Sequence, residues 1–379
     1  MRNTILFLVN VDWFFVSHRL PIALEAIRAG HQVHLACSFT DQADYLSSLG
    51  INLHELPLSR GGTGPWAELK TFWSIFQTIR KIRPDIVHCV TIKPMLYGGI
   101  ASRILGVPGR VASVSGLGYV FVSSGIKART LRLGISGACR LALKSRNAKV
   151  IFQNPQDRDL LLSKNIIYQD QAVMISGSGV DLDEYQFLPE PDGTPVVAMA
   201  SRLLTDKGVR EFVEAARILR TRGTEVRFWL IGDTDPENPA AVSKQELEAW
   251  EKEGVVEILG HRKDIPELFS QANMVCLPSY YGEGLPRVLV EAAACGRAVI
   301  TTDHPGCRDV IEPEKTGLLV PVRDADALAD AVQYLVEKPD LRQKMGQAGR
   351  RLAEREFSIQ KVVQAHMEIY EQLVGEDGR

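Results

Sequence analysis

Short apolar runs alternate with amphipathic stretches along the whole chain. Many of the runs are rich in Val and Ile, which is typical of buried strands. We predict strands at Ile5–Val9, Val33–Cys37, Ile86–His88, Val111–Val114, Val150–Phe152, Val173–Ile175, Val196–Ala200, Arg227–Ile231, Val256–Leu259, Met274–Leu277, Ala298–Thr301 and Gly317–Val320. Helix-like segments separate these strands. The alternation predicts βαβ units with parallel sheets, and therefore an α/β fold.

The same pattern restarts after a Pro-rich stretch, residues 187–195, which we interpret as an interdomain linker. A chain of 379 residues is also too long for one ordinary core. We therefore predict an N-terminal Rossmann-like domain at 1–188, a C-terminal one at 189–357, and a final amphipathic helix within 358–379. Two doubly wound domains of this kind bind ligands at the carboxyl ends of their strands.

The charge of the chain is unevenly distributed. The formal net charge is −2, yet residues 1–180 carry 20 Lys and Arg against 10 Asp and Glu, and residues 86–156 contain no acidic residue. Nucleic acid is not favoured, because aromatic residues are not interleaved with these cations. An anionic lipid surface, or an acceptor that carries a diphosphate, fits them better, and an ordinary basic surface is the simpler alternative.

Membrane-spanning and disulfide-bonded classes receive no support from the sequence. The apolar run near the N-terminus is broken by Asn10 and Asp12, so it is too short for a signal peptide or a span. The six cysteines show no metal-binding spacing, and a reducing cytoplasm fits them. Cys37, Cys89 and Cys276 fall in or beside apolar strands, which predicts that they are core residues.

Two glutamates, Glu283 and Glu291, lie eight positions apart after the strand Met274–Leu277. Glu283 belongs to a Gly-rich turn, whereas Glu291 lies within a short apolar helix between Pro286 and Gly296. A carboxylate in such a helix needs a partner, and a hydroxyl-rich ligand supplies one. The alternative is that both are ordinary solvated acids.

A second polar segment, from Ser201 to Gly208, follows the strand Val196–Ala200 and precedes a helix. It contains Arg202 and Lys207. A lysine at a helix N-terminus opposes the helix dipole, so its presence there predicts a nearby anion. A solvated loop lysine is the alternative.

Together these segments resemble the Glu-x7-Glu signature of retaining, family-4-type glycosyltransferases with the GT-B fold, in which two Rossmann-like domains face a central cleft. The resemblance extends from His18 to Ser358. It implies catalytic roles for Glu283, Arg202, Lys207 and His88, and a donor-binding role for Glu291, Gly284, Leu285, Pro286, Gly260, His261 and Gly232. It also implies that residues 177–181 form the hinge and that the last helix crosses back to the N-terminal domain.

The N-terminal domain departs from this family in two places. Val90 occupies a position where many members have a histidine that touches the donor sugar, and the first loop is aromatic where the family has paired glycines. His88 is either a substitute for that histidine or a core strand residue. The candidates for the acceptor side of the cleft are Trp13, Phe14, His18, Thr91, Lys93, Gly116, Gly118 and Tyr119.

Several short segments, such as Thr91-Ile-Lys-Pro and Pro305-Gly-Cys-Arg-Asp, most resemble segments of bacterial transferases of surface polysaccharide, O-antigen and lipid-linked oligosaccharide assembly. This resemblance implies transfer of an N-acetylhexosamine (GalNAc or GlcNAc) from a UDP-sugar to an undecaprenyl-diphosphate-linked glycan, with retention of configuration. It implies no obligatory metal or other cofactor, and a peripheral site on the inner face of the cytoplasmic membrane.

Two rival functions remain open at this point. One is a UDP-sugar 2-epimerase of the same fold, and the other is a non-catalytic sugar-nucleotide-binding or lipid-binding subunit. Two Asp-x-Asp pairs, at Asp181 and at Asp324, match the metal motif of a different transferase fold. We expect them to be hinge and helix-cap residues and not metal ligands.

Overall fold

The computed structural model describes residues 2–58, 64–116, 126–235 and 238–375, with side chains 126–133 left out. The chain divides into two compact units. The first unit runs to Ser178 and also includes the residues from Gln360 onward, whereas the second is Gly179–Ile359.

The first unit is built on a seven-stranded parallel sheet with the order β3-β2-β1-β4-β5-β6-β7. Its strands are β1 (Thr4–Val11), β2 (Gln32–Ser38), β3 (Asn52–Glu55), β4 (Ile86–Val90), β5 (Gly109–Val114), β6 (Ala148–Phe152) and β7 (Ala172–Met174). Its helices are α1 (Asp12–His18), α2 (Leu20–Arg28), α3 (Ala43–Ser48), α4 (Pro65–Ile82), α5 (Ile92–Ile104), α6 (Ile126–Leu143), α7 (Pro155–Ser163) and α14 (Ile359–Gly375).

Two layers of helices cover the two faces of this sheet. One apolar cluster joins the sheet to α4 through Ile75 and Ile79, and to α5, α6 and α7. The other cluster joins it to α1, α2 and α3, and to α14 through Ile369 and Leu373. Helices on both faces of a parallel sheet define a doubly wound domain.

The second unit repeats this architecture with six parallel strands in the order β10-β9-β8-β11-β12-β13. The strands are β8 (Val196–Ala200), β9 (Arg227–Ile231), β10 (Glu257–Gly260), β11 (Met274–Leu277), β12 (Ala298–Thr302) and β13 (Gly317–Val320). The helices are α8 (Val209–Arg222), α9 (Lys244–Glu253), α10 (Ile265–Ser270), α11 (Arg287–Ala294), α12 (Ala325–Glu337) and α13 (Pro339–Leu352).

The predicted α/β class and all of the predicted strands are confirmed. The edge strand β3 was not predicted, because Asn52–Glu55 is short and three of its four residues are polar. Cys37, Cys89 and Cys276 are buried, as expected for core residues. Among the described residues, no helix combines the length and the apolar character that a membrane span requires.

The interpretation of residues 187–195 as a linker is wrong. The ring of Phe187 packs so closely on Gly296 that a Cβ there would lie 2.2 Å from it. The guanidinium of Arg297, which is buried, donates to the carbonyl oxygen of Leu188 over 2.8 Å. These contacts hold the Pro-rich stretch on the second unit, so the boundary between the units follows Ser178.

Candidate functional site

The strand order of the second unit reverses between β8 and β11, and this is where open α/β sheets bind ligands. The loops that follow these two strands contact each other directly. The backbone N–H of Tyr280 donates to the carbonyl oxygen of Asp206 over 2.9 Å, and the hydroxyl oxygen of Ser279 lies 3.2 Å from the same carbonyl oxygen. The fold therefore brings the Lys207 loop and the Glu283 turn to one point.

Lys207 and Glu283 form an ion pair at this point. Their side chains are only 13% and 12% exposed. The hydroxyl of Ser279 donates to the same carboxylate over 3.0 Å, and the Lys207 ammonium lies 5.3 Å from the centre of the Tyr281 ring. The anion that the helix N-terminus predicted beside Lys207 is the carboxylate of Glu283.

Two glycines allow these loops to come so close. Gly208 has φ = 79°, and a Cβ at this residue would lie 2.2 Å from the carbonyl oxygen of Pro278. Gly306, with φ = 83°, lies close to the Glu283 turn, because a Cβ at this residue would be 2.6 Å from the carbonyl oxygen of Gly284. A side chain at either position would push the loops apart.

Glu291 lies on α11 and is buried. Its carboxylate is 2.6 Å from the guanidinium of Arg287, one turn earlier, and it accepts a hydrogen bond from the Tyr185 hydroxyl. Burial raises the pKa of Glu291, and the positive charge of Arg287 opposes that rise. Burial and the nearby Glu291 charge also raise the pKa of Tyr185. The predicted lone carboxylate therefore has two protein partners.

Sequence reasoning missed both of these partners. The spacing of Arg287 and Glu291, four residues apart on a helix, was a usable signal for the ion pair. Nothing in the sequence indicated Tyr185, because it belongs to the segment that we assigned to the other side of the domain boundary.

The remaining donor-side candidates lie on neighbouring strand ends. Arg202 follows β8 and donates to Asp235 over 3.0 Å. The N–H of Gly232, after β9, donates to the carbonyl oxygen of Gly260 over 2.8 Å, and His261 follows as an exposed residue. Leu285 and Pro286 are buried beside Gly284, immediately before α11.

In the first unit, the corresponding strand ends also carry neutral polar groups. Asn10, Thr91 and Ser115 lie at or just after the ends of β1, β4 and β5, which are neighbours in the sheet. In the described part of the chain, each has a buried side-chain oxygen without a hydrogen-bond partner. Buried polar atoms are normally paired, so these three indicate a place that a ligand or water completes.

Thr91 is also strained. Its backbone angles, φ = 75° and ψ = 165°, lie in a region that almost only glycine adopts. A β-branched residue held in this conformation costs free energy, and such residues cluster at functional sites.

The catalytic role expected for His88 is contradicted by its position. His88 is fully buried in β4, and its two ring nitrogens lie 2.7 Å from the Tyr370 hydroxyl and 2.7 Å from the Ser113 hydroxyl. Burial, with the nearby His366 and Arg19, holds its pKa well below the ordinary value. The alternative that we kept open, a core histidine, is the correct one.

The aromatic segment after β1 is a helix and not a loop. Asp12 begins α1, and its carboxylate accepts hydrogen bonds from the backbone N–H groups of Trp13, Thr40 and Gln42. On α1, the ring of Phe14 stacks on His18 with 4.0 Å between the ring centres.

The other acceptor candidates differ in their surroundings. Lys93 is paired with Glu68 over 2.8 Å, and the Tyr97 hydroxyl donates to the same carboxylate. Gly116 has φ = 99°. Gly118 and Tyr119 lie outside the described residues.

The two Asp-x-Asp pairs have structural roles. The Asp324 carboxylate caps α12 by accepting the N–H of Ala327, as expected, and Asp181 accepts the N–H groups of Asp183 and Glu184. Over the described ranges, no three His, Cys, Asp or Glu side chains are grouped as metal ligands.

Comparisons with known proteins cover both units. Residues 182–352 match the family "Glycosyl transferases group 1", and residues 4–154 match the family "Glycosyl transferase 4-like". A crystal structure of a glycosyltransferase from Rickettsia africae superposes with a TM-score of 0.77 at 21% identity, covering 98% of this chain and 99% of that one.

Two curated relatives have functions in their names. An N,N'-diacetylbacillosaminyl-diphospho-undecaprenol alpha-1,3-N-acetylgalactosaminyltransferase of Campylobacter jejuni is 27% identical, over 95% of this chain and 98% of its own. A UDP-Gal:alpha-D-GlcNAc-diphosphoundecaprenol alpha-1,3-galactosyltransferase of Escherichia coli is 25% identical, over 70% of each chain.

Proposed function

We propose that this chain, which belongs to the family-4-type glycosyltransferases of the GT-B fold, moves an N-acetylhexosamine, GalNAc or GlcNAc, from its UDP-sugar to an undecaprenyl-diphosphate-linked glycan. The observation that carries the proposal is the Lys207–Glu283 ion pair at the switch point of the second sheet. Its cation suits a diphosphate, and its carboxylate suits sugar hydroxyls.

On the donor side, we assign the diphosphate to Lys207 and Arg202. The ion pairs of these cations with Glu283 and Asp235 keep both charges compensated before the donor binds. When the diphosphate arrives, Lys207 exchanges a carboxylate for a phosphate oxygen, and Glu283 is released to accept hydroxyl groups of the sugar. Two protein cations can stabilise the departing diphosphate, so no metal is needed in this scheme.

We assign the ribose to Glu291 because its buried carboxylate is oriented by Arg287 and Tyr185. A carboxylate held by these two groups keeps lone pairs for two neighbouring hydroxyls. The UDP moiety is supported by the Escherichia coli relative, whose name includes UDP-Gal as donor.

On the acceptor side, both relatives have an undecaprenol diphosphate in their names, with a sugar as its first unit. The acid-free stretch 86–156 supports such an anionic acceptor through its charge. The lipid would hold the acceptor at a membrane, and we propose that the enzyme works peripherally on the inner face of the cytoplasmic membrane.

The transfer step that we propose retains the anomeric configuration. The acceptor hydroxyl attacks the anomeric carbon on the face from which UDP departs. The bond from this carbon to the diphosphate oxygen breaks, the bond to the acceptor oxygen forms, and the acceptor proton moves to an oxygen of the leaving diphosphate. Glu283 is reserved for the sugar hydroxyls and is not a nucleophile in this step.

The test is a transfer assay with the purified protein. UDP-GalNAc or UDP-GlcNAc is combined with an undecaprenyl-diphosphate-linked sugar, and the anomeric proton of the product is read by NMR. We expect a product only when donor and acceptor are both present, with the α configuration of the donor kept. A change in the sugar with the donor alone would establish the epimerase, and the absence of turnover with every lipid-linked acceptor would favour the non-catalytic binding subunit.

A further inference from the structure

The helix α4 of the first unit presents large apolar side chains to the outside. Trp66, Leu69 and Trp73 are 84%, 56% and 57% exposed. A helical step of about 100° places them within one stripe, at positions i, i+3 and i+7. Two largely exposed tryptophans on one helix face are unusual in a water-soluble surface and mark a contact site.

The opposite side of the same helix accounts for its packing in the fold. Thr71, Ile75 and Ile79 are buried, and the two isoleucines belong to the core cluster under the sheet. The exposed stripe is therefore not needed to hold α4 in place. We call Trp66, Leu69 and Trp73 the tryptophan stripe.

Basic side chains lie on the same side of α4 as the tryptophan stripe. By the same angular step, Lys70 and Arg80 lie within about 40° of Trp66, and Lys81 lies next to them; all three are exposed. Glu68, the single acidic residue of α4, lies on the other side of the helix, where Lys93 and Tyr97 bind it.

The same pattern extends to the neighbouring helices of this layer. α4, α5 and α6 pack in one cluster against the sheet. Arg103 and Arg140 are exposed there, and so are Ile104 and Leu141. The layer therefore combines cations with apolar side chains, while the sequence from 86 to 156 supplies no carboxylate to it.

We propose that the first unit binds to an anionic lipid bilayer through the tryptophan stripe of α4. The indole rings would lie at the depth of the headgroups, where tryptophan is enriched, and Lys70, Arg80 and Lys81 would contact lipid phosphates. This inference deepens the proposed function, and rests on it for one point: a lipid-linked acceptor gives the enzyme a reason to be at a bilayer.

A second copy of the chain is the competing occupant of the stripe. The stripe consists of three side chains with three cations near it on the same helix, whereas a stable dimer buries about 800 Å² on each partner. Two copies would also bring like charges together, because residues 1–180 carry an excess of Lys and Arg. A surface rich in anionic headgroups complements the same charges.

The binding test uses the full chain and two kinds of vesicle, one of phosphatidylcholine with phosphatidylglycerol and one of phosphatidylcholine alone. We expect flotation with the anionic vesicles only, and at least about tenfold weaker partitioning of the Trp66→Ser/Trp73→Ser variant. The matched control is Tyr45→Ser, since Tyr45 is 48% exposed on α3, on the other face of the same sheet. Wild-type protein that does not float, or a control that loses as much as the variant, overturns the proposal.

Intrinsic fluorescence gives an independent measurement of insertion. Of the five tryptophans, Trp229 and Trp250 are buried in the second unit, whereas Trp13 is 38% exposed on α1, so the measurement is made in a Trp13→Phe background. Quenching by brominated anionic lipid should therefore disappear in Trp66→Phe/Trp73→Phe, while flotation persists because phenylalanine still inserts. Trp66→Ser alone covers the case in which the double variant is poorly folded, because Trp66 is almost fully exposed. Quenching that remains in Trp66→Phe/Trp73→Phe would overturn the proposal.

A last comparison separates this inference from the proposed function. Trp66→Ser/Trp73→Ser should transfer sugar normally to a short-chain soluble acceptor, and should lose about tenfold or more with the acceptor embedded in anionic vesicles. If the variant matches the wild-type rate with both acceptors, the proposed membrane-binding role of the stripe is overturned and the transferase assignment stays intact. A concentration-dependent dimer that dissociates in the variant, without vesicle binding by the wild type, would assign the stripe to self-association.

Discussion

The carboxyl edges of the two sheets differ in how their polar groups are satisfied. In the second unit, the charged groups are already paired, Lys207 with Glu283 and Arg287 with Glu291. In the first unit, Asn10, Thr91 and Ser115 present neutral oxygens that lack hydrogen-bond partners within the described residues. The second edge carries compensated charges, whereas the first edge carries, beside the compensated charges of Asp12 and Lys93, three neutral oxygens that are not satisfied.

This difference teaches how each edge is prepared for a ligand. A buried or half-buried charge costs too much free energy to remain unpaired, so the charges at the edge of the second sheet have protein partners. A buried neutral oxygen without a partner costs less free energy, and a hydroxyl group or a water can donate a hydrogen bond to it. We therefore expect substitutions to have electrostatic consequences at the second edge and smaller, steric consequences at the first.

The largest effect should come from the Lys207–Glu283 pair. Lys207→Ala and Glu283→Ala should each lower transfer by about 100-fold or more, since in the proposed scheme Lys207 stabilises the departing diphosphate and Glu283 orients the sugar. Initial rates with saturating acceptor measure this loss. The matched control is Lys315→Ala, because Lys315 and Glu312 form a largely exposed ion pair elsewhere in the same unit. A Lys207→Ala rate within about threefold of the control would contradict our assignment.

A smaller effect is expected at Glu291. Glu291→Gln keeps the shape of the side chain but leaves Arg287 without its carboxylate in a mostly buried place. We expect about tenfold weaker binding of UDP by calorimetry, and a loss of roughly 1–3 kcal/mol in unfolding free energy.

Glu354→Gln is the control for this substitution, because Arg350 and Glu354 form another i, i+4 pair in the same unit with an exposed carboxylate. It should change neither UDP binding nor stability measurably. If Glu291→Gln binds UDP as the wild type does, the ribose role fails while the structural role of the pair stands.

At the edge of the first sheet, substitutions of Thr91 test whether its strained backbone conformation serves the function of the protein. Thr91→Gly removes the strain of the positive φ angle, and we expect a gain of about 1 kcal/mol in unfolding free energy. Thr91→Ala should bring no such gain, since alanine is strained in the same way. Both variants lose the unpartnered hydroxyl, so both should transfer more slowly if the hydroxyl meets a ligand. A Thr91→Gly enzyme that is more stable and fully active would make the strain incidental.

The sequence was sufficient for the fold because its signals are local. Apolar β-rich runs such as Val196–Ala200 and Met274–Leu277 predict strands without reference to the rest of the chain. The same holds for residues that a loop places at a strand end, such as Lys207 and Glu283. Their ion pair, however, joins two segments far apart in sequence and required the β8–β11 pairing.

The predictions that failed also depended on contacts between residues far apart in the sequence. His88 is flanked by apolar residues in β4, as a site residue or a core residue would be, and only its contacts with Tyr370 and Ser113 decide between the two. The Pro-rich stretch 187–195 has the composition of a linker, yet Phe187 and Arg297 hold it on the second unit. The composition of a segment indicates which conformations it favours in isolation, whereas its packing against the rest of the chain determines its structure in the protein.

The smallest expected effect is a difference between the two units in how their stability depends on pH. His88 and His366 are buried in the first unit, and burial lowers the pKa of His366 to about 3 and that of His88 well below its ordinary value. The groups around them are Arg19, which lowers both pKa values further by its charge, and Tyr370 and Ser113, which bind the ring of His88.

Below about pH 6.5 the unfolded chain binds protons at both histidines while the folded unit does not, so stability is present above that pH and is lost below it. Between pH 7 and pH 6 this amounts to roughly 0.7 kcal/mol for each histidine. Hydrogen exchange, corrected for the intrinsic rate, should show faster opening at pH 6 for β1, β4 and α14 than for the strands of the second unit. His366→Leu should remove about half of this pH dependence, whereas His261→Gln, an exposed change in the second unit, should leave it. Equal sensitivity of both units would mean that the buried histidines do not control the stability of the first.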